Sequence, residues 1–329
     1  MTPRHPAAAR HPIVSPPASS GMAMLGLLAL LVLPACSCCQ LPNNRPQGSP
    51  PDASHFSFHQ VEVPGQGSWE VCRAGPPPGA ATRPPRPVLL LHDVRGLTAR
   101  PLHYALRLTG GNDGGAPTAA DADSHVVYMP VMFGRYGGGR PGSDWNCRQR
   151  DGYGPVADDI RAVIDWVAAR HPDRGLVVIG NCLSGPAAIE SLAHPRVAGA
   201  VACQPALPYP SLNHRSRHHL AVAGATLDAA AARARELGGV RLLGFQYVRD
   251  FASHRQRFEI LHQHFGPGFH GHQLVRRGNE SRVAPHFTSI HAASNSGHTT
   301  ALKHAQPGPG SVQAEVEQAI AEWLGTLPD

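Results

Sequence analysis

The sequence of 329 residues lacks the patterns of several common protein classes. No apolar run reaches the roughly 20 residues that a membrane-spanning helix needs, and no internal repeat is present. The net charge is +6, yet the arginines are scattered and aromatic residues are few, so no basic cluster is interleaved with aromatic side chains. These absences argue against a polytopic membrane protein, a repeat protein and a nucleic-acid-binding protein.

The usual metal-binding motifs are missing as well. The chain contains 21 histidines and 7 cysteines, but neither the H-E-x-x-H motif nor a pair of C-x-x-C motifs occurs. Cys182, the cysteine of greatest interest below, has no second cysteine at C-x-x-C spacing. We therefore expect no metal and no other cofactor, and a thiol redox protein is disfavoured.

The N-terminal segment of the sequence has an unusual composition. Residues 22–33 form a short apolar run of the length typical of a signal peptide, and the following sequence LPAC (residues 33–36) resembles the lipobox of bacterial lipoproteins. The resemblance implies that Cys36 is acylated and anchors the protein to a membrane. We predict a signal-peptide-like segment over residues 1–35, a tether rich in Pro, Ser and Gly over residues 36–55, and one domain over residues 56–329.

This interpretation places the protein in the cell envelope, either membrane-anchored or exported. The alternative is a wrongly assigned start codon, in which case the protein is cytoplasmic. The oligomeric state is left open.

From Phe56 onward, short apolar runs alternate with segments of helical periodicity. Such alternation predicts an α/β fold with a mostly parallel central sheet and helices on both faces. The predicted strands cover residues 56–63, 69–73, 88–91, 125–129, 176–179, 198–203, 240–247 and, as the last strand, 269–275. The predicted helices cover residues 155–169, 186–192, 227–237, 251–265 and 311–324.

The most informative stretch joins one of these strands to a helix. Residues 176–179 are apolar, and the sequence GNCLSG (residues 180–185) then leads into helical periodicity. This pattern resembles the nucleophile elbow of α/β hydrolases, with Cys182 where serine usually stands. A helix N-terminus behind the sulfur favours the thiolate. The alternative interpretation of Cys182 is a buried structural cysteine in a strand-to-helix turn.

The order of the polar residues supports the catalytic interpretation. In α/β hydrolases the nucleophile precedes the acid, and the acid precedes the histidine. Asp250 follows the strand over residues 240–247, and several histidines precede the closing helix: His286, His291, His298 and His304. A thiolate nucleophile needs a neighbouring imidazole, and that imidazole needs a group that fixes its tautomer.

Three blocks together resemble the dienelactone hydrolase family of the α/β hydrolases. They are LLLHDVRGL (residues 89–97), IGNCLSG (residues 179–185) and PHFT (residues 285–288), and the similarity extends from about Phe56 to Leu327. The resemblance implies a Cys182–His286–Asp250 triad, with His298 and His291 as the other candidates for the base.

The resemblance also implies roles around the triad. The backbone N–H groups of Val94 and Leu183 correspond to the oxyanion hole, and Asp93 stands where the family has a glutamate beside the resting thiol. Arg135 corresponds to one of two arginines that hold the substrate carboxylate. Ile290 stands in place of the second, so we expect weak activity on dienelactone and better activity on neutral esters.

The remaining cysteines outside the N-terminal segment have structural interpretations. Cys203 is predicted to be a small buried residue at the end of a strand. Cys72 and Cys147 are predicted to be loop or edge residues, and they are candidates for a disulfide if the protein is exported.

The predicted activity is therefore the hydrolysis of a small ester or lactone through a thioester on Cys182. The alternative hypothesis is a non-catalytic envelope lipoprotein that uses the hydrolase fold for binding.

Overall fold

The computed structural model separates residues 1–41 from a compact unit that extends from Pro42 to Asp329. The first of these units lies outside the described residues, so the predictions for the signal-like segment and Cys36 fall outside them too. The structure describes residues 49–64, 67–77, 84–93, 96–110, 125–132, 154–206, 219–247, 250, 253–277, 280–285 and 311–328.

The described strands form one nine-stranded sheet in the order β1-β2-β4-β3-β5-β6-β7-β8-β9. Their bounds are β1 Ser57–Val63, β2 Gly67–Ala74, β3 Arg86–Leu91, β4 His125–Pro130, β5 Leu176–Asn181, β6 Val197–Cys203, β7 Leu242–Tyr247, β8 Phe269–Arg277 and β9 Glu280–Pro285. The strands from β4 to β8 are parallel, whereas β1, β2 and β9 join through antiparallel pairs. This sheet is the α/β-hydrolase fold that the sequence predicts.

The central strands are buried on both faces. Every residue of β5 and β6 is buried, as expected for parallel strands covered by helices on each side. β5 lies between β3 and β6, so the turn that follows it opens near the middle of the sheet.

Helices cover both faces of the sheet. Their bounds are α1 Ala99–Leu108, α2 Gly154–Arg170, α3 Gly185–Ser191, α4 Gly224–Leu237, α5 Gln256–Phe265 and α6 Val312–Thr326. Buried residues of α2 to α5 form one core with one face of the sheet, and those of α1 and α6 form a second core with the other face. Among the helices that the structure describes, none is both long and apolar enough to cross a bilayer.

The two helices of the second core are joined by a charged contact. The Arg107 guanidinium of α1 donates to both carboxylate oxygens of Glu317 in α6, at 2.8 and 2.7 Å. On the same helix, the Trp323 indole N–H donates to the carbonyl of Val240 at 3.0 Å and its ring lies against Gly199 of β6. These contacts fix α6 against the sheet.

Four sequence predictions need correction. Helix α1 was not predicted, and the helix predicted to begin at Phe251 begins at Gln256, after a turn that holds Asp250. The strand predicted to be the last is followed by a further strand, β9, which ends at Pro285. Cys72 was predicted at an edge or loop, but it is a fully buried free thiol within β2.

Two elements, α1 and β9, were not predicted because of their local sequences. Helix α1 contains Pro101 in its first turn and buries the charged Arg100, and neither residue is expected of a helix that packs through an apolar face. Strand β9 begins with three polar residues and carries no alternating apolar pattern.

Candidate active site

Cys182 occupies a strained turn at the end of β5. Its φ is +60°, a value that few non-glycine residues adopt, and a 3₁₀ turn over Cys182–Ser184 connects it directly to α3. The side chain is almost fully buried, with 4% of its surface exposed. This geometry is that of a nucleophile elbow: a left-handed residue presented between a central strand and a helix.

The elbow leaves no room for larger neighbours. A Cβ on Gly180 would lie 2.2 Å from the carbonyl oxygen of Ser184, and a Cβ on Gly185 would lie 2.7 Å from Cα of Pro205. Both contacts are shorter than those that real Cβ atoms make. Gly180 and Gly185 therefore stand at positions of the turn that admit no side chain.

Ser184 is a structural residue of the turn. Its hydroxyl accepts the N–H of Asn181 at 2.8 Å and lies 3.0 Å from the carbonyl of Leu91 and 3.1 Å from the carbonyl of Asn181. With 1% of its surface exposed, this hydroxyl ties β3 to β5 and is directed into the protein. The bonds explain how serine is accommodated at a position where the elbow motif usually has glycine.

The loop after β6 packs against the elbow. The carbonyl of Cys182 accepts the N–H of Ala206 at 2.9 Å, and Gln204 in the same loop has a φ of +50°. The Pro205 carbonyl accepts a hydrogen bond from the buried guanidinium of Arg257 in α5. Thus α5 supports the backbone on which Cys182 is held.

Asp250 lies in the turn between β7 and α5. Its side chain is buried, with 4% of its surface exposed, and Oδ1 accepts the N–H of Ser253 at 3.1 Å. The backbone N–H of Asp250 donates to the carbonyl of Tyr247 at 3.2 Å. The structure thus places this carboxylate at the carboxyl end of β7, two strands from the end of β5.

His92 fixes the loop that follows β3. Its Nε2 lies 3.1 Å from the backbone nitrogen of Met132, and its Nδ1 lies 2.9 Å from the carbonyl oxygen of Asp93. Because an N–H can only donate and a carbonyl can only accept, His92 is neutral with its proton on Nδ1. Burial lowers the pKa of His92 to about 4. This role was not predicted, because nothing in the sequence shows that Met132 lies beside His92.

The backbone of Asp93 is fixed by hydrogen bonds to its carbonyl oxygen. Its carbonyl accepts hydrogen bonds from His92 and from the N–H of Gly96, whose φ of +82° makes the turn possible. The side chain is buried, with 8% of its surface exposed. The other predicted residue of this loop, Val94, lies outside the described residues, whereas Leu183 is buried next to Cys182 in the elbow.

The position of the base depends on the chain after β9. Paired residues form one row across the sheet: Asn181, Cys203, Phe245, His272 and Pro285. At about 4.8 Å between strands, Pro285 is about 19 Å from Asn181. The three candidate bases, His286, His291 and His298, follow Pro285 in the sequence.

All three histidines, like Arg135, lie outside the described residues, so their assignments stay predictions. No group of three or more His, Cys, Asp or Glu side chains that could hold a metal ion occurs in the described part of the chain.

The other described cysteines differ from Cys182. Cys72 and Cys203 are free thiols with no exposed surface, and burial raises the pKa of both. Buried thiols of high pKa are poor nucleophiles. Cys182 differs from both in its backbone, because it has a positive φ in the turn after β5.

No known protein-family profile and no curated protein matches the sequence. Several solved structures are similar to this chain over most of its length. A provisionally assigned dienelactone hydrolase from Klebsiella pneumoniae is 16% identical, with 82% of this chain and 99% of that chain covered and a TM-score of 0.48. An esterase domain from Rhodothermus marinus is 14% identical, with 83% and 98% covered and a TM-score of 0.48.

An esterase from Pyrococcus furiosus is 12% identical, with 87% of this chain and 99% of that chain covered and a TM-score of 0.47. Identities and TM-scores this low do not transfer an activity to this chain.

Proposed function

We propose that this protein is a hydrolase of small esters or lactones that uses Cys182 as its nucleophile. The observation that carries the proposal is the backbone of Cys182, which is held at a φ of +60° between the central strand β5 and helix α3. Strained non-glycine residues at such turns cost free energy and cluster at active sites. The buried carboxylate of Asp250 at the end of β7 supports the same conclusion.

In the acylation half of the reaction, a histidine from the segment after β9 takes the thiol proton of Cys182. The thiolate then attacks the ester carbonyl, and the backbone N–H groups of Leu183 and Val94 stabilise the resulting oxyanion. When the tetrahedral adduct collapses, the imidazolium protonates the departing alkoxide and a thioester remains on Cys182. Asp250 orients the imidazole and stabilises its charged form.

In the deacylation half, the same imidazole takes a proton from water, and the hydroxide attacks the thioester. The thiolate leaves, is reprotonated by the imidazolium, and the carboxylic acid is released. Besides the ester and water, the reaction needs no oxidant, metal or other substrate, so it balances as an ester hydrolysis.

The substrate is an ester that is neutral or that carries a carboxylate bound by a single arginine. Arg135 supplies one cationic group, whereas Ile290 cannot bind a carboxylate. Losing one charge-assisted contact of about 1.5–3 kcal/mol lowers affinity for an anionic lactone by roughly ten- to a hundredfold.

We also propose that Cys36 carries a lipid anchor that holds the enzyme at a membrane of the cell envelope.

The central experiment combines p-nitrophenyl ester hydrolysis with thiol alkylation of the full-length protein. We expect Cys182→Ala to abolish both turnover and trapping of an acyl-enzyme by mass spectrometry, because the thiol forms the covalent bond. Cys203→Ala is the matched control, since it removes a fully buried thiol from the next strand, and its turnover should match that of the wild type.

Full turnover in Cys182→Ala would overturn the proposal. An inert wild-type protein that fails to react with esters and alkylating probes would instead support the non-catalytic alternative. Alanine variants of His286, His291 and His298 then identify the base, because only one of them should lose the acylation burst.

A further inference from the structure

A buried polar side chain lies next to the proposed acid. Gln246 is in β7, where the residues at neighbouring positions are apolar or glycine, and only 1% of its surface is exposed. Because side chains alternate along a strand, Gln246 faces the same side as Gly244, which lies against Phe258 of α5. A glutamine buried at such a position loses the hydrogen bonds that its amide makes with water. An apolar residue would fill the same space without that cost.

The amide makes one specific contact. Its nitrogen donates to the backbone carbonyl of Ser253, and the N–H of the same Ser253 donates to Oδ1 of Asp250 at 3.1 Å. The amide oxygen of Gln246 and the hydroxyl of Ser253 are buried without a hydrogen-bond partner among the described atoms. The glutamine thus leaves its oxygen unsatisfied while its nitrogen closes the turn that contains Asp250.

We infer that Gln246 is a positioning residue for the catalytic carboxylate. It anchors Ser253 to β7, and Ser253 in turn fixes the direction of Oδ1 of Asp250. The carboxylate is thereby held in one orientation toward the imidazole before substrate binds. This inference rests on the proposed function, because it assigns Asp250 as the acid of the triad.

A double-mutant cycle tests the inference. We expect Gln246→Leu to lower kcat/KM by roughly 10- to 100-fold, as a displacement of about 1 Å in a catalytic group does, with the loss mainly in kcat. Because Gln246 acts through Asp250, adding Gln246→Leu to Asp250→Asn should lower kcat/KM by less than about twofold further. The pH profile of Gln246→Leu should shift in the same direction as that of Asp250→Asn.

Gln313→Leu is the matched control. Gln313 is also a buried glutamine, with 3% of its surface exposed, and its amide donates to Glu317 on α6, in the core on the other side of the sheet. This variant loses a buried hydrogen bond without touching the turn of Asp250, so its pH profile should stay that of the wild type. If Gln246→Leu does not fold, Gln246→Asn serves in its place, because the shortened side chain withdraws the donor and keeps the amide.

The outcomes separate the two proposals. If Asp250→Asn lowers activity but Gln246→Leu leaves kcat/KM unchanged, or if the two losses multiply, the positioning role is refuted and the triad stands. If Asp250→Asn is as active as the wild type, the assignment of the acid fails, and the role of Gln246 fails with it.

Discussion

Gly180→Ala tests the elbow geometry most directly. An added Cβ would lie 2.2 Å from the carbonyl oxygen of Ser184, 2.7 Å from the carbonyl carbon of Ser184 and 2.9 Å from Cβ of Ala188. Two of these atoms belong to the backbone of the elbow, which is held by the hydroxyl of Ser184 and by the φ of +60° at Cys182. No flexible side chain can move aside, so the turn itself has to open.

The magnitude follows from that geometry. Cβ atoms essentially never approach other atoms within 3.0 Å, so the backbone has to shift by close to 1 Å. Inserting a methyl group into a packed core costs typically 1–3 kcal/mol, and the rigid backbone at this position puts the cost near the upper end, at about 3 kcal/mol. For a domain of this size the melting temperature should fall by roughly 5 °C.

The assay measures two quantities on the same variant: the free energy of unfolding in urea and the rate of Cys182 alkylation. Gly224→Ala is the control, because a Cβ at the first residue of α4 meets nothing within 4 Å. That variant should be as stable as the wild type or more stable by up to about 1 kcal/mol. A Gly180→Ala protein within 0.5 kcal/mol of the wild type and with unchanged alkylation would refute the elbow geometry.

Three further predictions address other parts of the molecule. Because the pKa of His92 is lowered to about 4 in the folded protein, the unfolded state takes up a proton first as pH falls, and stability should decrease between about pH 6.5 and pH 4. His171, whose pKa is also about 4, contributes to the same pH dependence. The free energy of unfolding of His92→Asn, measured in urea, should therefore depend less on pH than that of the wild type, but the dependence should not vanish. Cys36→Ser should release the protein from the membrane pellet in cell fractionation, whereas a wild-type protein found wholly in the soluble fraction would contradict the anchor. Arg135→Ala should raise KM for an ester that carries one carboxylate and leave KM for a neutral ester unchanged, and equal effects on both substrates would show that Arg135 does not bind the carboxylate.

The sequence alone determined the elements whose pattern is local. The apolar runs of β3, β5 and β6 predicted buried parallel strands, because four to seven consecutive apolar residues need cover on both faces. The small residues around Cys182 predicted a sharp strand-to-helix turn, and the structure confirms it with a positive φ at Cys182. These features depend on neighbouring residues only.

The tertiary structure decided everything that depends on residues far apart in the chain. His92 lies 40 residues before Met132 and the carbonyl of Pro205 lies 52 residues before Arg257, and no local pattern indicates that either pair meets. Gln246 reads in the sequence as one polar residue in a strand, and its contact with Ser253 exists only because the turn after β7 folds back. Strand β9 likewise gains its place by pairing with β8, from Arg277 opposite Glu280 to His272 opposite Pro285. Hydrophobic patterning therefore specified the sheet and the elbow, whereas long-range hydrogen bonds, which leave no periodic signal, fixed the loops after β3 and β6 and the turn after β7.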